Sequence, residues 1–309
     1  AETSSRDTSA EPLLLKPLTR SASDQGIAYR FVSIEVDRDG RTVQLTVTAD
    51  SDASWPLTAA RELDDALCHL RFNEPQLGTI VIRTRGDVDD VLIHDDALVN
   101  PKNHGERETA LLWKRVLSRL DLTARSLIAT VDPGSCFSGV LAELAFAADR
   151  TYMLDGVFED DDSPLPAATI CLTPVNAGPM PMANGISRVH SRLWGRDEAV
   201  AEAYASAGET LLAADALRLE LVTITPDDLD WEDEVRVAVE ERASFSPDAL
   251  TGMEANHRFC GPENMATKIF SRLTAWQNWI FTRPNSTGPT GALPRYGTGV
   301  RPEYNFDRT

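Results

Sequence analysis

The stretch SLIATVDPGSCFSGVLAELAFA, residues 126–147, constrains the fold more than any other. Ser126 to Val131 read as a short strand buried on both faces, because its apolar run has no polar alternation. Asp132 to Gly139 supply a turn of small residues, and Val140 to Ala148 continue as an apolar helix with one carboxylate, Glu143. A buried strand that runs through a tight turn into a helix belongs to a chain that crosses back over a sheet.

The segments before it repeat the theme. Residues 29–50 alternate about an Asp39-Gly40 turn, with Val32, Ile34 and Val36 answered by Val43, Leu45 and Val47, which predicts a hairpin. PLTAARELDDALCHLRFN places Leu57, Ala60, Leu63, Leu67 and Leu70 at helical spacing, with Glu62, Asp64 and Asp65 on the other side. Ile80 to Ile82 suit a buried strand, VDDVLIHDDALV fits no single element, and ERETALLWKRVLSRLDL predicts a second amphipathic helix through Leu111, Leu112, Val116, Leu117 and Leu120. Strand, helix, strand, helix, strand in this order implies parallel pairing and an α/β architecture. TYML and TICL add two strand candidates. The expected organisation is a flexible tail over 1–26, an α/β core over 27–195, a helical region over 196–282 and an extended tail over 283–309.

Composition sets outer limits. Of 309 residues, 42% are apolar and 25% charged, an ordinary globular profile. The 30 Lys and Arg against 48 Asp and Glu give a net charge of −18, which disfavours nonspecific nucleic-acid or anionic-membrane binding. Arg83, Arg85 and their basic neighbours between Arg61 and Arg115 are a source of local positive charge, or simply solvated side chains. Four cysteines without a C-x-x-C pair and five histidines without metal-ligand spacing predict no metal site. The polar start and the lack of a run of about 20 apolar residues predict a cytoplasmic protein without a membrane span.

The turn carries the chemistry. A helix that starts directly after a strand presents free N–H groups and the positive end of its dipole, where an oxyanion can sit. Gly134, Ser135, Ser138 and Gly139 let a ligand approach the backbone. The plainer reading is a tight turn that binds nothing. Cys136 lacks a histidine-bearing partner pattern and reads as a small buried thiol.

The segment from Gly134 to Leu144, followed by Asp149 and Tyr152, resembles the N-G-x-x-x-G-G-G-x-E-L and D-x-x-Y pattern of the crotonase (enoyl-CoA hydratase/isomerase) superfamily. ELDDALCHLRFNEP, GPMPMANGISRV and RLTAWQNWIFTRPN further resemble the second half of the benzoyl-CoA-dihydrodiol lyase family. The resemblance implies a crotonase-like spiral of ββα units with a helical C-terminal region, and an oxyanion hole for a thioester carbonyl. Carried over, the hole is formed by the N–H groups of Val140 and Ile93, with Glu143 as acid/base and His94, Asp95, Ser138, Gly139 and Asn176 around the substrate. An alternative role for Glu143 is a buried ion pair with Arg150 or Arg188.

Two departures matter. Gly139-Val140-Leu141 replaces the family's triple glycine, and Asn176 lies where a second carboxylate is expected. Asn176 cannot act as a base, which leaves His94, Asp95, Asp96 and Glu159 as candidates for the missing group. The resemblance implies a lyase or hydrolase acting on an acyl-CoA or pantetheine thioester, derived from an aromatic dihydrodiol or epoxide, with water as co-substrate and no metal or redox cofactor. It also implies a homotrimer or higher oligomer. The competing expectation is a non-catalytic crotonase-fold subunit that assembles with a separate catalytic crotonase, and the cluster Trp276, Trp279, Ile280 and Phe281 offers a surface for assembly or a core helix.

Overall fold

The computed structural model of the chain describes residues 12–159, 163 and 165–307. Strands β1 (Ser21–Ser23), β2 (Gly26–Ala28), β3 (Val32–Asp37) and β4 (Thr42–Thr48) pair in antiparallel sequence. Strands β5 (Thr79–Arg85), β6 (Ser126–Val131) and, after the two-residue β7 (Phe137–Ser138), β8 (Arg150–Met153) extend the same sheet in parallel. The order is β1-β2-β3-β4-β5-β6-β8. β7 pairs in parallel with β9 (Ile170–Cys171) as a separate ladder.

The burial pattern follows the side-chain arithmetic of each strand. In β4, Val43, Leu45 and Val47 are buried while their neighbours are partly exposed, as one-face packing requires. β6 lies between β5 and β8, and all six of its residues are buried. The parallel pairs are those expected from the strand-helix alternation.

Helix α1 (Trp55–Asn73) links β4 to β5 and packs against α4 (His104–Asp121), which leads into β6. The buried stripe of α4 runs through Ala110, Trp113, Val116, Leu117 and Leu120, while Leu111 is 49% exposed. Trp113, with its indole N–H donating to Pro56 O at 2.9 Å, fixes the helix rotation and turns Leu111 outward. Glu62 also departs from its expected polar face. It is buried, and its carboxylate accepts the N–H groups of Phe31 (2.8 Å) and Val32 (3.2 Å) at the start of β3. The ambiguous segment between β5 and α4 forms two single-turn helices, α2 (Val88–Leu92), capped by Asp87, and α3 (Asp95–Val99).

Helix α5 (Gly139–Ala147) is buried at every position. Past β9, a 3-10 turn (Pro174–Ala177) and α6 (Arg188–Arg192) pack on α5. They are followed by α7 (Asp197–Ala205), α8 (Ala213–Arg218), α9 (Asp228–Ala243) and α10 (Pro247–His257). Residues 265–280 are helical throughout, with a π-helical stretch at Lys268–Leu273.

The ends differ from expectation. Sheet pairing begins at Ser21, inside the stretch read as a tail, because a backbone ladder needs no apolar periodicity. At the other end, the Asn285 amide bonds Asp248 and the carbonyl of Asn305, and the Arg41 guanidinium lies 3.8 Å above the Phe306 ring, so 283–307 folds back onto the body. Residues 1–11 lie outside the described residues. Among the described residues no helix is long and apolar enough to cross a membrane.

Candidate active site

Gly139 opens α5 at φ +47°, a left-handed conformation that suits glycine. The space beyond it is filled from within. An added Cβ on Gly139 would lie 1.9 Å from Asp95 Oδ2, because the Asp95 side chain reaches from the first turn of α3 to the mouth of α5. The Val140 N–H points at Asp95 Oδ1 at 3.4 Å, and Thr173 donates its hydroxyl to Asp95 Oδ2 at 2.7 Å. Burial pushes the Asp95 carboxyl up to about 6, against the pull of the Thr173 and Val140 donors. Where a thioester oxygen is expected, this chain places its own carboxylate.

The second expected donor is also engaged. Ile93 N–H donates to Asp89 O at 3.2 Å and closes α2, while the Ile93 side chain is 57% exposed. This corrects the expectation that Ile93 offers a free N–H to a carbonyl. Ser138 precedes α5 fully buried, with no hydrogen-bond partner for its hydroxyl among the described residues. His94 is turned away from the mouth. It stacks on Trp55 with ring centroids 5.3 Å apart, and its Nε2 lies 3.0 Å from Asp50 O.

One turn into α5, Glu143 is 1% exposed. Arg188 donates from Nη1 to Glu143 Oε2 at 2.7 Å, and Asn176 donates from Nδ2 to Glu143 Oε1 at 2.7 Å. The other edge of the guanidinium grips Asp121, with Nε and Nη2 donating at 3.0 and 2.6 Å. Asn176 also donates to Gly139 O and accepts from Thr173 N–H, so its amide is a brace within the chain. Burial raises the Glu143 carboxyl, and the Arg188 charge and the two donors oppose that rise. Of the two alternatives for an ion pair, Arg188 is the partner, while Arg150 pairs with Glu241.

The remaining sequence candidates separate from this cluster. Asp96 pairs with Lys102 on the surface, and Glu159 is exposed. Arg83 and Arg85 both clamp the buried Asp132, which removes them from any free basic patch. Cys136 is fully buried, and desolvation pushes its thiol up to about 11, which leaves it inert as a nucleophile. Among the described residues no His, Cys, Asp and Glu cluster suited to a metal is present. Asp121 was not foreseen: it sits at the end of a helix whose sequence offered only an amphipathic pattern, and nothing local marks it as the second partner of Arg188.

A parallel β-ladder feeding a buried helix through a glycine at positive φ, with a helical C-terminal layer, defines a crotonase-like fold. Solved enoyl-CoA hydratases superpose on it. One from Geobacillus kaustophilus matches with a TM-score of 0.66 over 94% of this chain and all of that one, at 16% identity. Another from Mycobacterium smegmatis gives 0.62 over 89% and 98% of the two chains, at 15% identity. At the level of sequence, the whole chain is 45% identical to a benzoyl-CoA-dihydrodiol lyase from Aromatoleum evansii, of whose length it spans 57%. No family model matches.

Proposed function

We propose that this chain serves in the cytoplasm as a crotonase-fold unit of a lyase that opens the ring of an aromatic-derived acyl-CoA, a dihydrodiol or an epoxide. Within that lyase it acts as an accessory unit that assembles with a catalytic crotonase and does not move protons itself. The 45% identity to the benzoyl-CoA-dihydrodiol lyase supports the reaction class and the CoA thioester as substrate. Water is the only co-substrate that the reading requires.

The single observation that carries the accessory role is Asp95 at the Val140 N–H. A carboxylate there occupies the helix terminus that would stabilise a developing oxyanion, an interaction worth on the order of 3 kcal/mol per donor to a barrier. Glu143 is equally committed, since a base held by a guanidinium and an amide cannot reach a substrate proton without breaking both bonds. For assembly, the helical stretch 265–280 and the residue that follows it present Met265, Phe270, Leu273 and Phe281, which are 78%, 75%, 59% and 50% exposed. Apolar surface of this kind fits a protein partner.

The test is turnover by the purified chain with a dihydrodiol or epoxide of benzoyl-CoA, alone and with a catalytic crotonase. The expected result is no ring opening by the chain alone. Ring opening by the chain alone, abolished in Glu143→Gln with the fold intact, would refute the accessory role and make Glu143 a catalytic residue.

A further inference from the structure

At the far end of α5 from Asp95, a cleft of about 370 Å³ opens between the last turn of α5, α6 and α10. Four arginines line it, and they divide into two kinds. Arg188 is matched by Asp121 and Glu143, and Arg258 by Asp149 and Glu254. Arg192 and Arg242 have no ion-pair partner among the described residues. Arg192 makes only long contacts of 3.2–3.4 Å to the carbonyls of Phe146 and Ala148 and the hydroxyls of Thr151 and Thr223. The Arg242 guanidinium meets Met253 Sδ at 3.6 Å and the Phe245 ring.

Both side chains are half-buried, so each keeps access to the cleft, and neither is locked in a close ion pair. Burial lowers Arg192 to about 10, a value that still leaves it charged at neutral pH. Glu254 is 5% exposed and lies against Asp149, and burial together with that neighbouring carboxyl raises its own, so its proton is held within the pair.

We infer that this cleft binds a phosphate-bearing small molecule, with the phosphate between Arg192 and Arg242. The site lies at the opposite end of α5 from Asp95 and does not depend on the function proposed above. Asp121 and Asp149 are each held in an ion pair, by Arg188 and by Arg258. The cleft falls within the size range of small-ligand sites.

Calorimetric titration of the full chain with inorganic phosphate and with adenosine 3′,5′-bisphosphate tests the inference. Saturable binding of at least one probe is expected, weakened about tenfold or more in Arg192→Gln and in Arg242→Gln. Tighter binding of the bisphosphate assigns the phosphate to a nucleotide, and equal binding assigns it to a free phosphate. Arg242→Gln keeps the test open if loss of the Arg192 contacts to the α5 carbonyls prevents folding. Binding of neither probe, or binding that both variants retain unchanged, overturns the inference.

Discussion

Arg188, 1% exposed, pairs with two carboxylates that are as deeply buried, and its energetics are those of a buried ion triad. Removing one member leaves charge without compensation, so Arg188→Met should lower stability by roughly 3–5 kcal/mol in urea denaturation. Asp95 makes a prediction of opposite character. Its carboxyl sits at about 6 in the folded chain against an ordinary value of 3.8, so the folded state holds its proton more tightly than the unfolded state. The stability this lends is fully present below about pH 4 and is lost as pH rises through about pH 6, on the order of 3 kcal/mol in all. Asp95→Asn should flatten that part of the stability-pH curve, as measured by denaturant midpoints across the window. At this scale Glu143 and Asn176 were legible because a motif spacing marks them. Their actual partners were legible only in part. Arg188 stood as one of two alternatives, and the pairings of Asp121 with Arg188 and of Thr173 with Asp95 join separate segments that no local pattern encodes.

The α5 start shows how far element-level reading reaches. Its strand-turn-helix outline follows from the apolar run and the small turn residues, and the structure places the helix over Gly139–Ala147. What fills the mouth of the helix depends on α3, which lies in a stretch of mixed signals where two single-turn helices meet no periodicity window. Helix α4 teaches a similar lesson. Its amphipathic pattern was plain, but the position of Trp113 rather than the leucine count sets which edge is buried. Gly139→Ala should destabilise the chain on two grounds: an Ala at φ +47° costs roughly 1–2 kcal/mol by itself, and its Cβ strikes Asp95. Pairing it with Asp95→Gly should relieve the second part alone. A double-mutant cycle should therefore show coupling on the order of 1–3 kcal/mol between the two sites, read from urea midpoints.

The whole molecule is bound together by ties between distant segments. Arg258 at the end of α10 donates to the carbonyls of Thr123 and Arg125 and pairs with Asp149, which anchors the helical layer to the sheet. Arg41 donates to Ala243 O and stacks on Phe306, which draws the C-terminal segment onto the hairpin. Such ties join residues far apart in sequence, and for that reason the stretch beyond Arg283 read as an unattached tail although its Asn285 is buried. The exposed apolar helix face belongs to this scale as well. If it seats a partner, Phe270→Glu with Leu273→Glu should reduce the assembled mass in light scattering while circular dichroism stays unchanged, since neither side chain is part of the core.

On the accessory reading, the carboxylate at the mouth of α5 and the clamp on Glu143 are two separate closures. Trimming Asp95 reopens a space, yet Glu143 stays shackled to Arg188, and freeing Glu143 alone leaves the doorway shut. Neither change by itself opens both the doorway and the base, and each one exposes an unmet polar group. Proton transfer by this chain would need both at once, Asp95 withdrawn from the Val140 N–H and Glu143 released from Arg188.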